Sequence, residues 1–324
     1  MTGASSTPVL RADLHLHSIH SGFTKTLRMF RSRDCYSDPA AIYRMARQRG
    51  LDVVTITDHD SLDGCLELRD RYPDAPDILM GEEIECRVPA SGVRVHLGAF
   101  GLSERHHREV QPLRANVYEA AAFLRAEGAA LVLHHPFHFY RGEAGLLRDL
   151  EALLPLMHAV ETRNATMADA HNDLAAEIVQ AWNAAGSGLR LGQTGGSDAH
   201  VLGHVGSAFT EAPGRTAQDF LESLKRGDCR PAGAHGTIGS LAYEIYGVVF
   251  NYWGALLGLR PSGLLPAQRV RAIAFSLLSL PFQFIPIVVT LEQKRAERRR
   301  VAGWRRQLRG ALGKIECAAW CDEG

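Results

Sequence analysis

Residues 11–23 of the chain read RADLHLHSIHSGF, which places His15 and His17 two positions apart. In a β-strand, residues i and i+2 point to the same side, so both imidazoles would face one point. Leu14 and Leu16 would face the opposite side, into the packing of the protein. Two imidazole nitrogens directed at one point are typical ligands of a metal ion. An isolated His-x-His pair is also common in ordinary strands, so the remaining sequence decides between the two interpretations.

Up to about residue 230, short apolar runs alternate with amphipathic segments. The apolar runs predict strands at 12–17, 52–57, 77–86, 93–100, 129–135, 158–164 and 189–200. The amphipathic segments predict helices at 38–50, 105–128, 168–186 and 216–227. A short turn joins strands 77–86 and 93–100 into a hairpin. The remaining order of strand and helix favours an α/β fold with a parallel sheet or barrel.

Polar side chains end nearly every predicted strand. They are His15, His17, Asp58, His59, Asp60, Glu83, His96, His134, His135, Glu161, Asn164, Asp198 and His200. Folds of the α/β class place their active sites at the C-terminal ends of strands. Each residue alone could be a hydrogen-bonded core histidine, a solvated charge or a turn residue. Their combination indicates a site for two or three divalent ions, because imidazoles and carboxylates together bind Mn, Zn and Fe.

The composition is that of a globular protein with a sizeable core. Apolar residues make up 46% of the chain and charged residues 22%, and 36 Lys and Arg balance 36 Asp and Glu. A net charge of zero gives no electrostatic reason to expect a stable nucleic-acid partner. The 6 cysteines form no CxxC pair, which favours a reduced chain. The N-terminal segment lacks the pattern of a secretory signal, so the sequence predicts a cytoplasmic location.

Seven motifs, in order along the chain, give it a resemblance to a known family. They are DLHLHS, GLDVVTITDHDSLDG, GEEIE, VHLGAF, LHHP, VETRN and GGSDAHVLGHVG. Over residues 11–230 the sequence resembles the PHP family, named for polymerases and histidinol phosphatase. The resemblance implies an α/β fold, a distorted (β/α)7 barrel of PHP type, with a trinuclear metal centre. It also implies hydrolysis of a phosphoester by a metal-bound hydroxide, with a phosphorylated small molecule or a nucleotide as substrate.

The resemblance assigns individual residues to the three ions. The first ion would bind His15, His17, Glu83 and Asp198. Glu83 would bridge to a second ion, which His96 and His135 complete. His59 and His200 would hold the third ion. Asp58 and Asp60 would orient His59. The residues predicted to take part in catalysis are accordingly Asp58, Asp198 and His200.

The sequence departs from the family directly after the first motif. Members of the family usually carry SxSDG there, and the Asp of that motif helps to bind the third ion. Here residues 18–39 read SIHSGFTKTLRMFRSRDCYSDP, with no SDG. His20 is the preferred replacement ligand, and Asp34 and Asp38 remain alternatives. Asp38 is also the predicted N-cap of helix 38–50.

The inserted segment carries the basic side chains Lys25, Arg28, Arg31 and Arg33. Each could be an ordinary solvated charge, or it could meet the phosphate oxygens of a substrate. We predict that Lys25 and Arg33 bind substrate. Arg163 and Asn164, at the end of the sixth predicted strand, are predicted to do the same.

Two other functions stay open. A PHP-like barrel could keep its metal ions and act as a regulatory or interaction module without general phosphoesterase activity. The nearly complete ligand set favours the enzyme over this module. A barrel hydrolase of the amidohydrolase type also begins with His-x-His. That type typically has a metal-bridging lysine after a middle strand, and no such lysine ends a predicted strand here.

The character of the sequence changes near residue 236, which predicts a PHP-like domain at 1–235 and an apolar helical extension at 236–324. Residues 239–259 are rich in aromatic side chains and glycine, and residues 272–291 carry no charge. The strongly basic stretch EQKRAERRRVAGWRRQLRG follows. One interpretation is peripheral membrane contact through residues 239–310. The other is that these helices pack on the barrel or form a dimer interface.

Overall fold

The computed structural model describes residues 7–24, 32–140, 145–186, 189–261, 264–282 and 284–321. The strands in these ranges are β1 Val9–Ala12, β2 Gly81–Arg87, β3 Arg94–Phe100, β4 Ala130–His134, β5 Ala159–Asn164, β6 Gly192–Gly196, β7 Ala208–Pro213 and β8 Arg230–Gly233. The α-helices are α1 Pro39–Gln48, α2 Asp63–Arg71, α3 Glu104–Val110, α4 Val117–Ala126, α5 Leu146–Leu153, α6 Asp169–Ala184, α7 Ala217–Lys225, α8 Ile238–Leu256, α9 Pro266–Leu278 and α10 Ile285–Cys321.

The described strands form two sheets. The larger sheet has the order β2-β3-β4-β5-β6, and the smaller one has the order β1-β7-β8. In the larger sheet β2 and β3 form the predicted antiparallel hairpin, and β4, β5 and β6 run parallel. The smaller sheet is antiparallel throughout. Isolated bridges, such as Ala12 with Val53 and Val54 with Ile78, lie between the named strands. The predicted α/β class is confirmed.

The described strands do not close into a continuous hydrogen-bonded barrel. Predicted strands 12–17 and 52–57 are the main difference, because much of this region makes only single bridges. In this region, side chains accept the backbone hydrogen bonds that a neighbouring strand would otherwise accept. The Leu16 N–H donates to Thr57 Oγ1 at 3.0 Å, and the Ser18 N–H donates to Asp58 Oδ1 at 2.6 Å. Polar side chains that bind backbone groups in this way compete with sheet pairing.

Two predicted helices show how local sequence decides the result. Asp38 caps α1 as predicted, since its side chain accepts a hydrogen bond from the Ala41 N–H at 3.0 Å. The predicted helix 105–128 is interrupted, because residues 111–115 form a 3-10 turn between α3 and α4. Pro112 lies in that turn, and proline lacks the N–H that a continuous helix needs. The structure adds α2, α5, β7 and β8, which the sequence did not predict.

The core lies on both faces of the larger sheet. On β4, Leu131 and Leu133 join one buried apolar cluster, whereas Ala130 and Val132 join another on the opposite face. This alternation follows from the two-residue period of a strand. A strand buried on both faces explains the continuous apolar run before His134.

The C-terminal extension is helical, and parts of it pack on the rest of the protein. Tyr252 and Leu256 of α8 share a buried apolar cluster with Tyr36. Trp304 of α10 is buried, and its ring lies 5.7 Å from that of Phe137. Within the described ranges, no helix has the length and apolar character needed to cross a membrane.

Candidate metal centre

Glu83 lies at the centre of a buried group of histidines. It is in β2, at the middle of the antiparallel hairpin, and its side chain is fully buried. Its Oε1 lies 2.8 Å from His96 Nδ1, 3.2 Å from His15 Nε2 and 3.2 Å from His135 Nε2. Its Oε2 lies 2.8 Å from His59 Nδ1. These residues are distant in sequence, and the fold brings them to one carboxylate, as the sequence predicted.

Asp198 adds a second carboxylate to the cluster. It follows β6, and its Oδ1 lies 3.5 Å from both His15 Nε2 and His17 Nε2. His15 and His17 therefore face one region, as expected for residues two apart in extended backbone. The structure places both of them between Glu83 and Asp198, because His17 Nε2 is also 3.6 Å from Glu83 Oε2.

Asp34, rather than His20, lies beside His59 and His200, the two histidines expected to hold the third ion. We call this part the third corner of the cluster. Asp34 Oδ2 is 3.3 Å from His59 Nε2 and 3.2 Å from His200 Nε2. His20 Nε2 instead lies 2.6 Å from Glu67 on α2. In this structure the Glu67 carboxylate engages the His20 ring, and the role of His20 as a metal ligand stays a prediction from the sequence.

Several buried histidine nitrogens of this cluster have no hydrogen-bond partner. They are His15 Nε2, His17 Nε2, His96 Nε2 and His135 Nδ1. A buried polar atom without a partner is costly, and a bound cation would satisfy an unprotonated imidazole nitrogen. Among the described residues there are five overlapping groups of three, and the three ligand atoms within each group lie within 4.8 Å of one another. His15 belongs to three of these groups. The residues present therefore fit a centre for divalent metal ions.

Neighbouring side chains hold the two histidines of the first motif. Glu161 Oε1 lies 2.8 Å from His15 Nδ1, and its Oε2 accepts the His135 N–H at 2.9 Å. Ser21 Oγ lies 2.9 Å from His17 Nδ1 and donates to Asp58 Oδ1 at 2.7 Å. Histidine ligands of metals commonly have their second nitrogen fixed in this way.

The two aspartates beside His59, which were expected to orient it, make most of their described contacts with other residues. Asp58 accepts hydrogen bonds from Ser18 and Ser21, and it reaches His17 through Ser21 rather than orienting His59. Asp60 accepts the Glu85 N–H at 2.9 Å and forms an ion pair with Arg114. The Asp60 carboxylate thus binds the backbone of β2 at Glu85 and the side chain of Arg114.

The residues predicted to bind substrate take different positions. The Asn164 side chain donates to Glu161 Oε2 at 2.9 Å and to Asp198 Oδ2 at 3.3 Å, so it holds two carboxylates of the cluster. Arg163 donates to the Gly233 carbonyl at 3.1 Å, and Arg33 donates to the Ile19 carbonyl at 3.0 Å. Lys25 lies outside the described residues.

The carboxylates and histidines of the cluster shift one another's pKa values. Burial alone would lower the pKa of His15, but Asp198, Glu161 and Glu83 raise it well above its usual range. Burial alone would raise the pKa of Glu83, but the surrounding histidines hold it well below its usual range. Burial lowers the pKa of His17 to about 3, assisted by His200 and His59. The His17 imidazole is therefore neutral, whereas the His15 imidazole holds a proton that a divalent cation would displace on binding beside the carboxylates.

The backbone is unusual where the cluster is formed. His135, Asp198 and Asp60 have positive φ angles of 23°, 53° and 52°. Such backbone conformations are uncommon for residues other than glycine, and they often occur at functional sites. Gly196 also permits a close approach, since a Cβ there would lie 2.3 Å from His15 Cβ.

Glu161, His134 and Ser21 lie beside the cluster, although the assignment of individual ligands from the sequence includes none of them. Glu161 and His134 end predicted strands, which was a usable signal. The His134 ring stacks on His15 with 4.0 Å between centroids. Ser21 gave no signal in the sequence, because its role depends on the turn that returns it to His17.

The C-terminal helices also contact this region. Glu244 of α8 accepts the His200 N–H at 3.1 Å. Lys294 of α10 donates to the Thr166 carbonyl at 2.5 Å, and the Thr166 hydroxyl donates to Asp198 Oδ2 at 2.8 Å. The wall of the cluster therefore includes residues from beyond position 236.

The fold and this cluster define an α/β protein with a buried histidine and carboxylate centre suited to divalent ions. A family model described as PHP-associated matches residues 169–229, which include Asp198 and His200. This match confirms the resemblance to the PHP family that the motifs indicate. An uncharacterized protein of Methanocaldococcus jannaschii is 32% identical over 76 residues, which is 23% of this chain and 44% of that protein.

Three solved structures are similar to parts of this chain, each with a TM-score below 0.5. PsfC from Pseudomonas syringae is 22% identical, with 75% of this chain and 97% of that chain covered and a TM-score of 0.49. A Bifidobacterium adolescentis protein, provisionally called a metal-dependent phosphoesterase, is 16% identical over 68% and 98%, with a TM-score of 0.45. An amidohydrolase from Chromobacterium violaceum, with bound sulfate and no metal, is 15% identical over 63% and 90%, with a TM-score of 0.44.

Proposed function

We propose that this protein is a metal-dependent hydrolase of phosphoesters, with two or three Mn, Zn or Fe ions at the cluster around Glu83. The observation that carries the proposal is the set of buried imidazole nitrogens that have no hydrogen-bond partner and surround ionised carboxylates. His15, His17, His59, Glu83, His96, His135, Asp198 and His200 would hold the ions, and Asp34 would join them at the third corner. The PHP-associated match supports this assignment of chemistry.

Divalent ions at such a centre would supply a nucleophile from water and neutralise charge on a phosphoryl group. The protein's own part is to hold the ligands in place. Glu161 holds His15, Ser21 and Asp58 hold His17, and Asn164 with Thr166 holds Asp198. Fixed ligands leave the ions little freedom to rearrange during the reaction.

A cysteine nucleophile does not fit the described part of the chain. Cys35 and Cys65 are buried, and burial raises the pKa of their thiols to about 12 and about 11. Burial raises the pKa of Cys86 and Cys229 to about 12 as well. A thiol needs a lowered pKa to act as a nucleophile near neutral pH. Metal-assisted attack by water is therefore the better account.

A cavity of about 970 Å³ offers space for the organic part of a substrate. Its lining includes Ile19 and His20, which are two and three residues after His17, and Val201, which directly follows His200. Tyr36, Tyr243, Tyr246, Arg33 and Arg260 line its other sides. This mixture of aromatic and basic side chains suits a phosphorylated small molecule or a nucleotide.

The finer structural expectations enter the same proposal. We infer that the two sheets are an opened form of the distorted (β/α)7 barrel, because isolated bridges such as Leu16 with Ala199 lie between them. The division into residues 1–235 and 236–324 and the cytoplasmic location remain predictions from the sequence. Neither is needed for the chemistry of the cluster.

The test is hydrolysis by the purified full chain, with and without added Mn²⁺. Aryl phosphate monoesters, aryl phosphate diesters and an aryl amide are the substrates. We expect turnover of at least one phosphate ester that disappears with a chelator. Turnover of the amide alone would contradict the proposal in favour of amidohydrolase chemistry. No turnover by chains shown to contain metal would favour the regulatory module.

A further inference from the structure

An uncharged segment between α9 and α10 exposes many large apolar side chains. We call residues 272–282 and 284–291 the apolar tip, and they include no Asp, Glu, Lys or Arg. Large side chains exposed in the apolar tip include Leu277, Leu278, Leu280, Phe284, Val288 and Val289. Exposed apolar groups scattered singly are normal, but a continuous set of this kind marks a contact surface.

The apolar tip is anchored at both ends. At its first end, Ala272 is buried against α8, and Ile273 packs on the same cluster. Beyond its other end, Val301 and Trp304 are buried against the main body. Between these anchors the large apolar side chains named above are exposed, whereas Ser276 and Thr290 are buried. The fold therefore presents the apolar tip rather than covering it.

Basic residues flank the apolar tip on both sides. The cations within eight residues or so of its ends are Arg269, Arg271, Lys294, Arg295, Arg298, Arg299 and Arg300, against Glu292 and Glu297 as the acids. Arg271, Arg295, Arg298 and Arg299 are exposed, and two of them also form surface ion pairs, Arg295 with Glu292 at 2.7 Å and Arg298 with Asp169 at 3.3 Å. A surface that is apolar at its centre and cationic at its margin complements a bilayer with anionic headgroups.

We propose that the apolar tip inserts into the interfacial layer of an anionic lipid membrane, with the flanking arginines on the headgroups. The helical parts of the tip, 272–278 in α9 and 285–291 in α10, contain seven residues each. Each part is about 10 Å long at 1.5 Å per residue, against about 30 Å for a hydrocarbon core. The tip thus reaches partway into one leaflet. A protein partner would match the apolar centre but gives no role to the arginine margin.

The test is flotation of the full chain with vesicles of phosphatidylcholine alone or phosphatidylcholine mixed with phosphatidylglycerol. We expect binding to the mixed vesicles and at least about tenfold weaker binding to phosphatidylcholine alone. Leu278 and Phe284 are 75% and 61% exposed, so we expect Leu278→Asp with Phe284→Asp to leave the fold intact. This variant is expected to lose at least about tenfold in binding to the mixed vesicles.

Two control variants distinguish insertion of the apolar tip from nonspecific hydrophobic adsorption to vesicles. Leu189→Asp removes an apolar side chain that is 59% exposed and outside the tip, and it should bind as the parent does. Arg295→Gln with Arg298→Gln and Arg299→Gln should remove the preference for anionic vesicles. No flotation with either vesicle would overturn the proposal. So would a dimer in solution that the Leu278→Asp and Phe284→Asp changes convert to monomer, because the tip would then be a contact between copies.

Discussion

Asp34 decides how the third corner of the cluster works. Burial alone would raise the pKa of this carboxyl, but His200 and His59 hold it well below its usual range. We predict that Asp34→Asn lowers the number of ions bound per chain and reduces phosphate-ester turnover at least about tenfold. The measurement is metal content by mass spectrometry beside the rate in the same sample.

His20→Gln is the matched comparison for Asp34→Asn. His20 contacts Glu67 and not the other ligands, so this variant should keep its metal content and its rate within about twofold. Loss of metal in His20→Gln with full metal in Asp34→Asn would contradict the geometry. The ligand choice made from the sequence would then be the correct one.

The sequence predicted the centre of the cluster better than its margin. His15 and His17 share a side because of their spacing, and Glu83 and Asp198 lie at or near strand positions that meet at one edge. The choice between Asp34 and His20 could not be made this way. Both follow the same motif, and only the three-dimensional course of the chain shows which one returns to His200.

Among the strands and helices, the features that depend on local sequence were predicted, and those that depend on contacts between distant residues were not. The hairpin of β2 and β3 and the cap of α1 follow from local sequence, and the structure confirms both. The stretch 52–57 has the composition of a strand, but Thr57 and Asp58 bind backbone groups near residue 17. Such bonds depend on a partner some 40 residues away, so no local pattern predicts them.

Helix α10 is held by a buried polar contact between Glu297 and His171 of α6, and this contact makes the stability of the protein depend on pH. Burial alone would raise the pKa of Glu297, but its hydrogen bond with His171 and the charge of Lys294 lower the pKa to about 2, against 4.5 for a free glutamate. The folded pKa is depressed, so the ionised carboxylate stabilises the protein above pH 4.5. That contribution is lost as the pH falls from about 4.5 towards 2.

We predict that Glu297→Gln lowers the free energy of unfolding at pH 7 by up to about 3 kcal/mol. The difference from the parent should shrink as the pH falls below about 4.5, which denaturant unfolding at a series of pH values would measure. Glu292→Gln, on the same helix with a side chain 65% exposed, should change stability by less than about 1 kcal/mol. A Glu297→Gln difference that does not vary with pH would contradict this account.

At the scale of the whole molecule, polar contacts join the C-terminal helices to the part of the protein that holds the metal centre. Glu244 of α8 meets the backbone of His200, and Glu297 of α10 meets His171 on α6. We therefore expect the metal centre and the helices that present the apolar tip to behave as one structure. If both proposals hold, hydrolysis would take place beside a membrane surface.

The central claim is that the cluster around Glu83 binds the ions and performs the hydrolysis. Mn²⁺ content and aryl phosphate turnover, measured together in Glu83→Gln and Glu82→Gln, test this most directly. Glu82 is the buried neighbour on the same strand, and it contacts His107 at 2.8 Å instead of the cluster. We predict that Glu83→Gln loses bound Mn²⁺ and at least about a hundredfold in turnover, whereas Glu82→Gln keeps both. A folded Glu83→Gln protein with full metal and full turnover would contradict the account.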